Sequence, residues 1–256
     1  MKDKIAVVTG GGSGIGEGIS KELARKGAQV VVTDIDVTNA LRVADEITKE
    51  GGTALGKALD VTNLEAIKSL GNEIKSDMGL IDYWVNSAGI SKIVPFFEHT
   101  EELWDNTMDI NLKGQFLCSQ VAIEHMLENG EGSIINLSSQ SGKVGTSSYQ
   151  AYCSSKFGII GLTQSLAAEF GPSGIRVNSI APGVIATPMW DVQKKDYAKK
   201  RNLDPDKVMD YFKSKIPLRK IGQVEDVAKL ACFLLSDDAS YISGQTISVN
   251  GGDIMF

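Results

Sequence analysis

Histidine is nearly absent: His99 and His125 are the only two in 256 residues. With no HExxH pair, a zinc-dependent mechanism lacks its ligands. Cysteine is scarce as well. Cys118, Cys153 and Cys232 are odd in number, widely spaced and free of any CxxC pair, which argues against a disulfide framework or a zinc cluster. No apolar run approaches the ~20 residues of a membrane span. The opening Met1-Lys2-Asp3-Lys4 leads into only four apolar residues before Thr9, too few for a secretory leader. Basic residues are outnumbered, 26 Lys and Arg against 32 Asp and Glu, for a net charge of −6 and a pI near 5.1. That balance disfavours duplex DNA or an anionic membrane as the main partner. The expectation is a soluble protein of a reducing compartment, the cytoplasm.

Glycine, in contrast, is abundant: 27 residues, five of them between positions 10 and 16. Apolar residues at 42% and charged residues at 23% are close to globular averages, which excludes a disordered or fibrous chain. No repeat or low-complexity linker interrupts it, so residues 1–256 are expected to form a single domain.

Short apolar, β-branched runs read as strands: Ile5–Val8, Val30–Thr33, Tyr83–Val85, Ser133–Leu137, Ile175–Ile180 and Thr246–Val249. Several lack period-2 alternation, which suits strands covered on both faces. Between them lie helix-like segments at Ile15–Lys26, Thr38–Glu50, Asn63–Asp77, Glu101–Glu128, Tyr149–Phe170 and Val224–Leu235. Strand followed by helix, about six times over, predicts an α/β protein: a Rossmann-type, doubly wound parallel sheet flanked by helices. The least regular stretch, Pro188 to Pro217, is polar and lysine-rich and follows the sixth strand. Ligands of open α/β sheets sit at the carboxyl ends of the strands, so this stretch is expected to be a substrate lid.

The first strand ends in Thr9-Gly10-Gly11-Gly12-Ser13-Gly14-Ile15-Gly16, and a helix follows at once. The pattern is GxxxGxG. Gly10 allows a tight turn, Gly14 lets the backbone approach a pyrophosphate, and Gly16 lets helix pack close to strand. Ser13 and Ile15 complete the cofactor-binding loop. A merely flexible turn is the alternative, disfavoured by the placement between first strand and first helix. Asp34 ends the second strand, 18 residues beyond Gly16. A carboxylate there can accept both hydroxyls of an adenosine ribose and would repel a 2′-phosphate. Alternatively Asp34 or Asp36 caps the next helix; with two aspartates both roles can be filled. No Lys or Arg occurs from Gly27 to Leu41, so NAD is favoured over NADP.

Tyr152-Cys-Ser-Ser-Lys156 sets a phenol and an ammonium at i and i+4, on one helix face. A phenol is a poor base at neutral pH, and a neighbouring cation favours its phenolate. Spacing alone is weak: 6 Tyr and 21 Lys give about 0.5 such pairs by chance, and Tyr211 with Lys215 is a second one. Ser139, 13 residues before Tyr152 and just after an apolar run, can hydrogen-bond a substrate carbonyl, whereas Ala198 holds that place before Tyr211. Tyr211–Lys215 therefore reads as a decoy on the lid.

With these residues the chain resembles the short-chain dehydrogenase/reductase family in its classical branch. The resemblance runs through Thr9-Gly-x-x-x-Gly-x-Gly16, Asp60-Val61, Asn86-Ser87-Ala88-Gly89, Asn111, Ser139 and Tyr152-x-x-x-Lys156. It continues through Pro182-Gly183, Thr187-Pro188-Met189 and Asn250-Gly251-Gly252. It implies about seven strands and a homotetramer using Glu101–Glu128, Tyr149–Phe170 and the C-terminus. Tyr152 would exchange a proton with the substrate oxygen and Ser139 would orient that oxygen. Lys156 would lower the tyrosine pKa and hold the nicotinamide ribose, and Asn111 would anchor a proton-relaying water. Asp60 and Val61 would contact adenine. Asn86, Ala88, Gly89, Pro182 and Gly183 would line the cofactor, and Ile185 and Thr187 would hold its carboxamide. The family usually has a second asparagine at Ser87 and an aspartate at Asn250.

Thr187-Pro-Met-Trp-Asp191 resembles sorbitol-type polyol and acetoin/butanediol dehydrogenases. Asp204 to Tyr211, Lys215-Ile-Pro-Leu218, Ala239 to Gln245 and the ending Gly-Gly-x-x-Met-Phe256 look like sorbitol-6-phosphate 2-dehydrogenases. Together they imply a small alcohol or ketone substrate. Lys194, Lys195, Lys199, Lys200 and Arg201, with Lys92 and Lys143, offer cations for a phosphate, although such a charge run also reads as a solvated face. Two other functions stay open: a 3-oxoacyl thioester reductase and a non-catalytic NAD-binding sensor. His99 and His125 are expected on exposed helix faces.

Overall fold

The structure, a computed structural model, describes residues Met1–Met255; Phe256, part of the C-terminal resemblance, lies outside them. Seven strands form one parallel sheet: β1 (Ile5–Thr9), β2 (Gln29–Asp34), β3 (Thr53–Ala58), β4 (Tyr83–Asn86), β5 (Gly132–Leu137), β6 (Ile175–Pro182) and β7 (Thr246–Val249). Their order is β3-β2-β1-β4-β5-β6-β7, so the winding reverses between β1 and β4, where a crevice opens above the carboxyl ends.

Successive residues of the central strands serve opposite faces. Ala6 and Val8 of β1 with Val30 and Val32 of β2 pack on α1 (Gly14–Arg25), α2 (Val37–Lys49) and α9 (Val224–Leu235). Ile5, Val7 and Val31 pack on α3 (Leu64–Asp77), α5 (Gly114–Asn129) and α6 (Gln150–Phe170). With both faces dry, every residue of β1 is buried, which is why these strands read as unbroken apolar runs. The strand without such a run is the edge strand β3, where Gly56 is required because a Cβ there would stand 2.7 Å from the Leu41 backbone of α2. Arg176 of β6 donates to the carbonyls of Leu234 (2.6 Å), Leu235 (3.0 Å) and Ser236 (3.1 Å) and so satisfies the end of α9.

Three expectations are corrected. The helix expected over Glu101–Glu128 is α4 (Glu101–Met108) and α5, joined by a π-helical turn at Asp109–Lys113 that carries Asn111. The irregular stretch after β6 is instead two helices, α7 (Pro188–Arg201) and α8 (Val208–Lys215). Pro188 starts α7 at a position that needs no N–H donor, and Asn202 ends it in the left-handed region at φ 53°. The histidines are not exposed on helices: His125 is buried in α5, and His99 follows a short 3-10 turn with both ring nitrogens buried.

Candidate active site

One cavity of about 890 Å³ runs along the carboxyl ends of the strands. On its dinucleotide wing, the Thr9 hydroxyl accepts the N–H groups of Ser87 (3.1 Å) and Ala88 (3.3 Å), tying the end of β1 to the segment after β4. Both donors are main-chain groups, so this tie does not depend on the side chain at position 87. The glycine loop threads the remaining space. A Cβ on Gly10 would lie 2.8 Å from Ala88 Cα, and one on Gly16 only 2.1 Å from the Gly10 carbonyl oxygen. Gly14 sits at φ +54°. Ser13 at the N-cap of α1 makes no side-chain cap, so the helix presents its first N–H groups to the cavity.

The two aspartates divide the roles weighed above. Asp36 caps α2, accepting from Thr38 N–H at 2.9 Å. Asp34 lines the cavity and accepts the Gly12 N–H at 3.1 Å. Arg42, one residue beyond the cation-free stretch from Gly27 to Leu41, reaches the loop and donates to Gly12 O at 2.8 Å. It is already committed to Glu17 (2.8 Å) and Glu46 (3.0 Å). A glycine cradle that side chains would fill, an open helix N-terminus and a ribose-height carboxylate together fit a nicotinamide dinucleotide.

The middle of the cavity gathers Ser139, Tyr152 and Lys156 from the end of β5 and one face of α6. Ser139 and the Tyr152 phenol share a hydrogen bond. Burial pushes Tyr152 up and the Ser139 hydrogen bond pulls it back. Lys156 Nζ lies 5.6 Å from the centre of the Tyr152 ring and donates to Leu137 O at 2.7 Å. Its ammonium, almost wholly buried, is pushed down to about 7. In this arrangement burial dominates both groups.

Asp60, Val61, Ala88, Gly89, Pro182, Gly183, Ile185 and Thr187 line the same cavity, as do Gly10, Ser13, Gly14, Ile15 and Gly16. Two expected site residues do not. Asn86 is fully buried, accepting from Trp84 Nε1 (2.9 Å) and donating to Ser119 Oγ (3.1 Å) and Asn136 Oδ1 (2.9 Å). Its place is behind the wall, bracing β4 against β5. Asn111 also stands behind the wall. It accepts the Ile90 N–H (2.8 Å) and donates to Ile90 O (2.9 Å) and Ser155 Oγ (3.1 Å). It thereby fixes the segment after Gly89 to the catalytic helix.

The substrate wing was the least legible part. Asn106, Gln140, Tyr149, Trp190, Gln193, Tyr197, Arg201, Tyr211, Phe212, Lys215 and Asp253 line it. Of the expected lysine cluster only Arg201 faces the cavity. Lys200 instead donates to Ser147 O beneath the Tyr149 ring, and Lys92 and Lys143 are not on the wall. The supposed decoy pair Tyr211 and Lys215 is on it. The available signal was the four-residue spacing Gln193, Tyr197, Arg201, one face of α7. Asn250 is structural, holding the C-terminal turn through Ile254 O (2.8 Å) and Gly252 N–H (3.0 Å).

This assembly defines a Rossmann-type oxidoreductase. Comparison with known proteins gives the family. A family model described as Enoyl-(Acyl carrier protein) reductase matches residues 10–253. D-threitol dehydrogenase of Mycolicibacterium smegmatis is 36% identical, covering 98% of this chain and 93% of its own. A 3-oxoacyl-[acyl-carrier-protein] reductase of Staphylococcus aureus is 39% identical, covering 98% of both chains. The crystal structure of sorbitol-6-phosphate 2-dehydrogenase from Erwinia amylovora superposes with a TM-score of 0.95 at 37% identity, over 98% of this chain and 100% of that one. The chain belongs to the short-chain dehydrogenase/reductase family, NAD(P)-dependent enzymes acting on CH–OH groups. No helix among the described residues is long and apolar enough to cross a membrane.

Proposed function

We propose that this protein is an NAD-linked dehydrogenase that interconverts a secondary alcohol and a ketone on a small polyol or diol. The observation that carries this reading is the convergence of Ser139, Tyr152 and Lys156 in one cavity with the glycine loop and Asp34. Ser139 orients the substrate oxygen, and Tyr152 takes its proton during oxidation and returns it during reduction. Lys156, whose Nζ lies 5.6 Å from the Tyr152 ring centre, favours the phenolate only in its protonated form, which burial confines to about pH 7 and below in the nucleotide-free protein, and it would hold the nicotinamide ribose. Asn111 keeps Ile90 and the catalytic helix in register. The bound dinucleotide supplies the hydride acceptor, so the chain's task is placement and electrostatics.

Asp60 and Val61 would face adenine, Ile185 and Thr187 the carboxamide, and Asn86 would support the cofactor wall from behind. Asp34 favours NAD, and Arg42, tied to two carboxylates, does not offer a free cation to a 2′-phosphate. Residues 1–256 act as one domain, with 188–217 as the lid. The protein works in the cytoplasm as a homotetramer, assembled through α4, α5 and α6, where Trp104, Phe116 and Phe157 are exposed.

The 39% identical 3-oxoacyl reductase keeps a second reading in view: reduction of a 3-oxoacyl thioester. NADH formation on sorbitol, galactitol, mannitol, their phosphates and 2,3-butanediol, beside NADPH oxidation with acetoacetyl-CoA, separates the two. Turnover of a polyol or diol with NAD is the expected result, and turnover of the thioester alone overturns it. Tyr152→Phe excludes a non-catalytic sensor if it lowers turnover by about 10²- to 10⁴-fold while nucleotide still binds.

A further inference from the structure

The chain enters the catalytic helix α6 through a strained turn. Ser148 sits in the left-handed region at φ 62°, a conformation that a serine keeps only where its surroundings impose it. Tyr149 follows at the N-cap of α6 and lends the helix no side-chain cap. The local tie is weak, the Thr146 N–H reaching only a sulfur, Cys153 Sγ, at 3.4 Å. Both carbonyls of the turn are instead engaged from elsewhere in the chain. The Val94 N–H, on the segment after β4, donates to Ser148 O at 3.0 Å, and Lys200 Nζ, on α7, donates to Ser147 O.

Lys200 is held for this task. Its ammonium stands 5.0 Å from the centre of the Tyr149 ring and 6.0 Å from that of Tyr197, and burial pushes it below the usual lysine value. α7 is in turn pinned to the segment that carries Val94, because the buried Gln193 side chain donates to Ser91 O at 2.9 Å. The three ties close a triangle: α7 to Ser91, the same segment to Ser148, and Ser147 back to α7. What the turn carries is the reacting group. Tyr149 O accepts the Cys153 N–H at 2.7 Å in the first turn of α6, and the Tyr149 ring lies 6.0 Å from the Tyr152 ring. A shift of Ser147 and Ser148 therefore displaces both residues that flank the phenol bonded to Ser139.

We propose that Lys200 is a positioning residue: from α7 it clamps the Ser147–Ser148 turn and so holds Tyr152 in line with Ser139, which makes the alignment of the proton-transferring group depend on the docking of α7. The inference stands on the family's chemistry and holds whichever alcohol or ketone is the substrate.

The test compares wild type with Lys200→Met, Lys200→Arg, the surface variant Lys199→Met and the double variant Lys200→Met with Ser148→Gly, each saturated with NAD. Amide hydrogen exchange over residues 146–156 is read by mass spectrometry. Values of kcat and KM are measured on whichever compound of the panel above the wild type turns over, polyol, diol or acetoacetyl-CoA. K200M is expected to speed exchange over 146–156 about tenfold and to lower kcat by about 10- to 100-fold, with the KM for nucleotide and exchange elsewhere unchanged. K200R and K199M are expected to stay near wild type, and S148G to recover part of the kcat lost in K200M, because glycine holds a positive φ without the clamp. Wild-type exchange or wild-type kcat in K200M overturns the proposal. So does exchange raised throughout the chain, the mark of a merely structural residue, or a kcat that neither K200R nor S148G recovers. If no compound of the panel turns over, the substrate readings above fall, while exchange still decides the clamp: a rise confined to 146–156 upholds it and wild-type exchange overturns it.

Discussion

Replacing Gly16 by alanine is the sharpest test of how the glycine loop works. A Cβ at this position would lie 2.1 Å from the Gly10 carbonyl oxygen, 2.8 Å from Gly10 C and 3.1 Å from Gly11 Cα. All three are backbone atoms, so no side chain can swing aside. A carbon and a carbonyl oxygen settle at about 3.3 Å, so α1 and the loop must separate by about 1 Å. The loop cannot yield on its far side, because Gly10 already stands against Ala88 and the Gly11 N–H is bonded to Thr33 O at 2.8 Å. The strain of forcing one methyl into such a contact is about 1–3 kcal/mol of stability. The functional loss is larger: displacing a positioning element by about 1 Å costs about 10²-fold in rate, because the helix N-terminus no longer meets the pyrophosphate. NADH titration by fluorescence, steady-state kcat/KM and a urea midpoint give the three readouts. Wild-type nucleotide affinity and turnover in G16A would refute the argument that loop and helix are in obligatory contact.

Two further outcomes follow from charges in the same cavity. Lys156, pushed down to about 7 by burial, is mostly neutral in the folded, nucleotide-free protein at pH 8, while in the unfolded chain it stays protonated to about pH 10.4. The unfolded state then binds more protons between those values. The cost to stability is full below about pH 7 and fades as pH rises towards 10, by up to roughly 1 kcal/mol per pH unit. Urea midpoints at pH 7, 8 and 9 should rise more steeply for wild type than for Lys156→Met, and parallel slopes would count against a neutral buried amine. Asp34→Ser should raise the NADP-to-NAD ratio of kcat/KM by about tenfold or more by removing the repelling carboxylate. Adding Glu17→Gln, which loosens Arg42, should raise it further, and an unmoved ratio in both would dissociate cofactor choice from this corner.

The sequence by itself determined the parts of this protein whose physics is local. Short, β-branched apolar runs such as Ile5–Val8, bounded by turn residues, read as strands buried on both faces, and their alternation with amphipathic helices points to a parallel doubly wound sheet. A glycine loop between the first strand and first helix, and a tyrosine and lysine one helical turn apart, carry their chemistry in their spacing. Edge strand β3 was weak because Gly56 answers to the approach of α2, a contact between segments. Tertiary structure alone decided the rest, since each remaining question concerned which side chains meet across distance in the chain. Asn86 and Asn111 turned out to stand behind the cavity wall, where their amides meet Asn136, Ile90 and Ser155. Arg42 proved to be consumed by Glu17 and Glu46. On the segment after β6, a run of like charges could not say which cation faces inward. Only the rotation of α7 and the packing of α8 sorted Arg201 and Lys215 into the cavity and left Lys194, Lys195 and Lys199 outside it.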